Sequence, residues 1–288
     1  MWAAEQLSLA GVIYSGRFLV IGAVSDFEGQ SLKLERFVET WGTVIVVQVA
    51  SKSLSVVELG LAVDKVEEFF HKVDKDFSTY KSDSEVSRIR RGELEVADAS
   101  DDVNEVWRLC EDTRELTLGA FDPWKVEGGF DPSGLVKGWA ADVAAKMLGG
   151  AGVESTLINA AGDLVLRGGQ LSEGGEVKPW NIGISSPDDV NQIVKTFDVV
   201  DGSVATSGDY EKGAHIVDPH TGLIAIGARS ASVVGPDGAL CDALATALMV
   251  DGRDAQRWMG RPELAEYSFW VINRDDETAW SYGPNKGY

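Results

Sequence analysis

Short strand-like runs crowd the second half of the chain: STLINA, DLVLRG, PWNIGIS, IVKTFDVV, SVATS, AHIVD and RSASVVG, punctuated by Gly, Pro and Asp. Strands that follow one another so directly favour antiparallel sheets with helices packed on them over a doubly wound parallel sheet. The first half supplies a buried strand, TVIVVQV from Thr43 to Val49, dense in β-branched residues. It also supplies the helices. Over residues 54–75, Leu59, Val63, Val66, Phe70 and Val73 step by four and three and share one face. A short helix is predicted over 84–90, with Ser82, Asp83 or Ser84 as N-cap, and a longer one over 101–116, with Ser100 as cap. ELEVA reads as a short strand. Further helices are predicted over 135–148, opened by the turn DPSG, and over 240–250, before a last strand YSFWVIN. The fold class is α+β, with mixed, largely antiparallel sheets and packed helices. Residues 1–36 fit neither pattern and read as an N-terminal extension, an extra strand pair or a loosely attached arm, ahead of a domain spanning 37–288.

The charge balance narrows the partners. A formal charge of −20 repels phosphate backbones and anionic lipid heads, which argues against nucleic acid and against a polybasic membrane patch. A phosphate-bearing ligand would need a divalent cation, backbone N–H groups, or both. Cys110 and Cys241 sit in apolar helical patterns and read as buried free thiols. No run reaches the roughly 18 apolar residues of a membrane span. The first residues lack a basic segment, carry Glu5 early and are interrupted by Arg17, so a cytoplasmic location is expected.

Five segments hold residues suited to chemistry. In CDALATALMV, Asp242 and Thr246 are four apart on one helix face, and a carboxylate with a hydroxyl is a pair of hard oxygen ligands suited to Mg²⁺. The bland alternative is a solvated Asp and a Thr bonded to its own i−4 carbonyl. In SVATSGDYEKGAHIVDPHTG, the turn-like TSGD is rich in N–H groups and hydroxyls, and His215 is suited to moving protons near neutral pH. In GAFDPWKVEGGFDPSGLVKGWAAD, free carbonyls ahead of a helix suit a cation and free N–H groups at its start suit phosphate, with Gly134 and Lys137 in the first turn. Tyr80 lies in the polar loop DFSTYKSDSE, where its ring suits stacking on a flat ligand or covering the preceding helix end. Asp163 follows the small-residue turn of INAAGD and suits either ligand binding or turn capping.

Taken in order, these segments resemble the FAD:protein FMN transferases, the ApbE-type flavin transferases. FSTY, GAFDP, DPSGLVKG, NAAGD, TSGDY…HIVDPHTG and DALATA stand where that family has an fSxY loop, a GxFDP turn, a D-x-S/G-G-x-x-K-G helix start, an N-x-GGD turn, a TSGDY…HIxDPxTG block and a D-A-x-x-T-A helix. The resemblance implies an ApbE-like fold and Mg²⁺-dependent transfer of FMN from FAD to a Thr or Ser hydroxyl of an acceptor flavoprotein, with release of AMP. It implies that Asp242, Thr246 and the carbonyl of Gly134 hold Mg²⁺. Mn²⁺ also accepts oxygen ligands. Tyr80 would pack on the isoalloxazine ring. Lys137, Asp163, Thr206, Ser207 and Gly208 would contact the nucleotide. His215 would lie by the scissile pyrophosphate as general base, with Asp242 as the second candidate. The alternatives are an FAD pyrophosphatase that gives FMN and AMP, and a non-catalytic FAD-binding protein.

The chain departs from the family pattern at Trp41-Gly42-Thr43, where Met-Gly-Thr is common, and at Ala161, where the GGD turn has its first glycine. Many family members are exported or lipid-anchored. The absence of such a signal points to a cytoplasmic flavoprotein as acceptor.

Overall fold

A computed structural model describes residues 12–14, 31–172, 175–208 and 216–284. In chain order its strands are β1 (Val12–Tyr14), β2 (Leu32–Thr40), β3 (Thr43–Ser51), β4 (Ser155–Ala160), β5 (Asp163–Arg167), β6 (Gln170–Leu171), β7 (Val177–Lys178), β8 (Trp180–Ser185), β9 (Ile193–Val199), β10 (Gly202–Gly208), β11 (Ala228–Gly235), β12 (Ser268–Asn273) and β13 (Ala279–Tyr282). The α-helices are α1 (Val56–Phe77), α2 (Glu85–Arg90), α3 (Asp101–Leu116), α4 (Ser133–Gly150), α5 (Gly238–Asp251) and α6 (Gln256–Met259). Eight strands pair antiparallel in the order β13-β12-β11-β10-β5-β4-β3-β2, and β1-β8-β9 form a second antiparallel sheet. The expected α+β class is what the chain adopts.

The alternation of side chains along the central strands divides the interior in two. Ile158, Val165, Ala205 and Val233 face the helices and join one core with Phe70, Leu135, Trp139 and Leu244. Their sequence neighbours Leu157, Leu164 and Leu166, Val204 and Val234 face the other way and pack with Ile182, Ile184 and Phe197 of the small sheet. Strands covered on both faces have no polar side, which is why STLINA and DLVLRG read as nearly continuous apolar runs.

Most helices obey the sequence pattern. Ser55 and Glu58 close a capping box at α1, Ser84 caps α2, and Ser100 caps α3 by accepting from the N–H of Val103. ELEVA is not a strand. Val96–Asp98 is a single 3₁₀ turn, and this surface stretch has no strand partner in the sheets of the described residues. AHIVD keeps only an isolated bridge, Val217 to Ile224, with Ala214 and His215 outside the described residues. At the other end, β2 begins at Leu32, so the division expected after residue 36 falls inside an edge strand. Val12–Tyr14 adds the third strand to the small sheet.

Two hairpins turn on a non-glycine residue followed by glycine, both left-handed: Trp41 (φ 55°) with Gly42 (φ 68°), and Ala161 (φ 56°) with Gly162 (φ 98°). Positive φ at both central residues is the geometry of a two-residue turn that matches strand twist. In the second turn, the Asn159 side-chain oxygen accepts from the N–H of Gly162 at 2.8 Å. The Trp41 ring is anchored edge-on to Phe70, with centroids 5.6 Å apart. Ala161 has no such compensation in its side chain, and a Cβ in the left-handed region costs about 1–2 kcal/mol. The greater freedom of glycine in the unfolded chain takes back part of the gain. Ala161→Gly is therefore expected to raise stability by up to about 1 kcal/mol, read as a higher urea midpoint with an unchanged slope.

Helices α4 and α5 touch backbone to backbone. A Cβ on Gly138 would fall 2.1 Å from the carbonyl oxygen of Gly238. One turn on, the buried Asp142 carboxylate accepts from the N–H of Gly238 at 2.5 Å and from that of Ala239 at 3.4 Å, and its other oxygen takes Arg167 at 2.8 Å. A side chain of α4 thus caps the start of α5. Burial, with the nearby Asp237 charge, raises the Asp142 carboxyl to about 6 against the opposing pull of Arg167 and the two N–H groups. The folded protein therefore holds this proton more tightly than the unfolded chain does. The stabilisation it brings is complete below about pH 4 and is lost as pH rises through about 6. Asp142→Asn should flatten that decline, measured as urea midpoints across this range.

Candidate active site

Helix α5 is buried on almost every side, as expected for a helix that is apolar all round. A carboxylate inside such a helix is costly unless paired. Asp242 is only 3% exposed, and its Oδ2 lies 3.1 Å from Lys137 Nζ on α4. The same ammonium contacts Asp163 Oδ2 more closely. Asp163 is 5% exposed and stands at the first position of β5, delivered there by the tight Ala161-Gly162 turn. Three elements distant in sequence thus meet at one ammonium. Burial pushes the Lys137 pKa down, but the two carboxylates outweigh it and hold the group above its ordinary value.

Thr246 lies one turn along α5 from Asp242 and next to Gly134, near the start of α4. A Cβ on Gly134 would stand 3.1 Å from Thr246 Oγ1 and 3.4 Å from Cε2 of Phe121. Gly134 has a ψ of 17°, away from the helical value of about −42°, so the peptide plane bearing its carbonyl is rotated out of the helical line. The Thr246 hydroxyl makes no hydrogen bond among the described residues. Thr113 and Thr117 contrast with it, donating to the carbonyls of Leu109 at 2.7 Å and Thr113 at 2.8 Å. The i−4 back-bond that would make Thr246 a purely structural residue is absent.

Among the described residues, no three His, Cys, Asp or Glu side chains gather as a metal-binding group. A site of one carboxylate, one hydroxyl and one carbonyl would not register as such a group, and its chemistry suits a hard cation that keeps waters and substrate phosphates as its other ligands. A side chain on Gly134 would fill the space against the uncommitted Thr246 hydroxyl. The residues present therefore fit Mg²⁺.

The remaining predicted residues divide. Tyr80 is 98% exposed, in a loop tied down by Ser84 and Ser87, whose hydroxyls donate to the carbonyl of Ser78. That loop leaves α1 beside α4, because Phe77 packs on Trp139 with centroids 5.4 Å apart. Thr206 is buried in β10, and its hydroxyl shares a 2.8 Å hydrogen bond with Ser232 on β11. Its side chain is committed to the sheet, and Ser207 and Gly208 finish the strand. His215 lies outside the described residues. Sequence reasoning missed Phe121, Asp142 and Ser232. Phe121 alone had a signal, standing inside GAFDP.

The sequence profile described as the ApbE family matches residues 41–125 and 125–268. That is most of the chain and includes every residue placed in the site. The chain belongs to the ApbE family. Relatives include an FAD:protein FMN transferase of Vibrio cholerae, 34% identical over 158 residues, 51% of this chain and 45% of that protein. Another, from Rhodobacter capsulatus, is 30% identical over 194 residues, 64% of this chain and 33% of that protein. The matched stretch is less than half the length of either relative. The ApbE fold is found in a flavin transferase ApbE from Vibrio cholerae, with a TM-score of 0.74 and 23% identity over 89% of this chain and 98% of that one. An ApbE protein from Thermotoga maritima has a TM-score of 0.74 at 22% identity, over 86% and 96% of the two chains.

Proposed function

We propose that this ApbE-family chain is an FAD:protein FMN transferase. It moves FMN from FAD to a Thr or Ser hydroxyl of an acceptor flavoprotein, requires Mg²⁺ and releases AMP. The observation that carries this reading is the meeting of Gly134, Lys137, Asp163, Asp242 and Thr246, drawn from α4, β5 and α5, in a chain whose relatives bear that name.

Asp242, Thr246 and the Gly134 carbonyl would hold the cation. Bound there, Mg²⁺ would screen the pyrophosphate and the charge that develops on the AMP leaving group. Asp163 and the Thr206-Ser207-Gly208 strand end would contact the flavin nucleotide, with the Thr206 side chain left in the sheet. The exposed Tyr80 ring would close on the isoalloxazine. The acceptor hydroxyl oxygen bonds to the FMN-side phosphorus, the P–O bond to AMP breaks, and the hydroxyl proton passes to a base. His215 is that base in this proposal, and Asp242, once it ligates a cation, is the weaker candidate.

The test is AMP release from FAD, with and without magnesium, beside a threonine-bearing flavoprotein domain whose intact mass is then read. Magnesium-dependent AMP with the mass of FMN added to the domain supports the transferase. AMP without added mass, across several acceptors, replaces it with a pyrophosphatase. FAD bound but never cleaved makes the chain a binding protein.

A further inference from the structure

Lys137 is an unexpected neighbour for a metal ligand. Its ammonium sits on Asp242 Oδ2, one of the oxygens a divalent cation would need. The arrangement is lopsided. The Lys137 contact with Asp163 is the closer one, and that with Asp242 is 3.1 Å. At the other end of the site, the Thr246 hydroxyl beside Gly134 has no partner among the described residues. One end of the cation site is open and the other is plugged by the chain's own cation.

The charges explain why a plug is needed. Asp163 and Asp242 are both nearly buried. Without an ammonium between them, two like charges would share a dry site at high cost. With Lys137 the cluster carries one net negative charge. A divalent cation added beside the ammonium turns that to one net positive charge, which then suits an anionic pyrophosphate.

We propose that Lys137 sets the cation affinity of the Asp242 site, acting as a tethered surrogate that occupies Asp242 when no divalent cation is bound and retreats onto Asp163 when one binds. This rests on the reading that Asp242 is a metal ligand, and it does not require that FMN be transferred. The affinity is thereby weakened in the empty protein, and an anionic substrate that rewards the extra positive charge tightens it. Lys137 is thus a positioning and affinity-determining residue, not a group that takes part in bond making.

The experiment is Mn²⁺ binding to the FAD-free full chain, followed by the electron paramagnetic resonance of free Mn²⁺. Binding to Asp242→Asn is subtracted to remove the contribution of surface acids. Lys137→Met should tighten the Asp242-dependent site by about tenfold or more, since a unit charge at contact distance is removed. The double variant Lys137→Met with Asp163→Asn keeps the cluster at one net negative charge and leaves one buried carboxylate in place of two repelling ones, so it serves also where the single variant fails to fold. It should still bind more tightly than the wild type, because Asp242 Oδ2 is freed while net charge is unchanged. The proposal is overturned if the double variant binds Mn²⁺ as weakly as the wild type or more weakly, or if neither variant shows Asp242-dependent binding. Tight Mn²⁺ binding in a chain that never moves FMN would instead sink the transferase and leave this inference standing.

Discussion

Asp242→Asn is expected to lower magnesium-dependent AMP release from FAD by about 10²- to 10³-fold, the usual cost of losing one preorganised electrostatic partner of the leaving group. The variant separates chemistry from folding. Lys137 keeps its closer partner Asp163, so one positive and one negative charge remain and no lone buried charge is created. The amide has nearly the shape of the carboxylate, and helix α5 keeps its packing. Initial rates at saturating FAD, taken across a magnesium titration, give the result. A large loss that excess magnesium partly recovers marks Asp242 as a metal ligand. Near-normal turnover with an unchanged magnesium dependence removes Asp242 from the cation site and takes the metal assignment with it.

The local half of this site was legible and the distant half was not. Asp242 and Thr246 are four apart in one helix, so the helical repeat alone puts them on one face. The capped helices could be bounded closely for the same reason: Ser100 and the stripe of Val103, Val106 and Cys110 are local signals that packing does not override. Lys137 is 26 residues from Asp163 and 105 from Asp242, and no periodicity connects them. Only the family resemblance gathered those segments, and even it did not show that the ammonium would sit on Asp242. ELEVA failed in the opposite direction, since its alternation is a local strand signal with no neighbouring strand among the described residues to satisfy it. Thr206 belongs both to the strand-like run SVATS and to the turn-like TSGD, and the strand prevails: it lies near the end of a central strand, where its hydroxyl pairs across to Ser232. The double burial of the sheet shows in the sequence only as apolar runs, and an apolar run does not say how many layers cover it.

Gly138 closes the DPSGLVKG string without a side chain of its own, and its replacement should cost the fold more than that of any other glycine in its helix. In Gly138→Ala the new methyl would meet backbone alone: the carbonyl oxygen of Gly238 at 2.1 Å, its carbon at 2.4 Å and the nitrogen of Ala239 at 2.9 Å. No side chain can swing aside, so α4 and α5 must separate. Overpacking of this kind costs about 1–3 kcal/mol, and the rigid backbone on the far side puts this case at the upper end. The separation also strains the Asp142 cap on α5, and it draws Gly134 from Thr246 and Lys137 from Asp242, so cation affinity should fall with stability. Gly149, in the exposed last turn of the same helix, has nothing within 4 Å of a new methyl. Gly149→Ala should therefore stabilise by about 0.5–1 kcal/mol, through the lower entropy of the unfolded chain. Urea midpoints of the two variants, measured side by side, should move in opposite directions. Equal midpoints would mean that the helices part freely at Gly138, and that the close approach of α4 to α5 is not what holds the two halves of the site together.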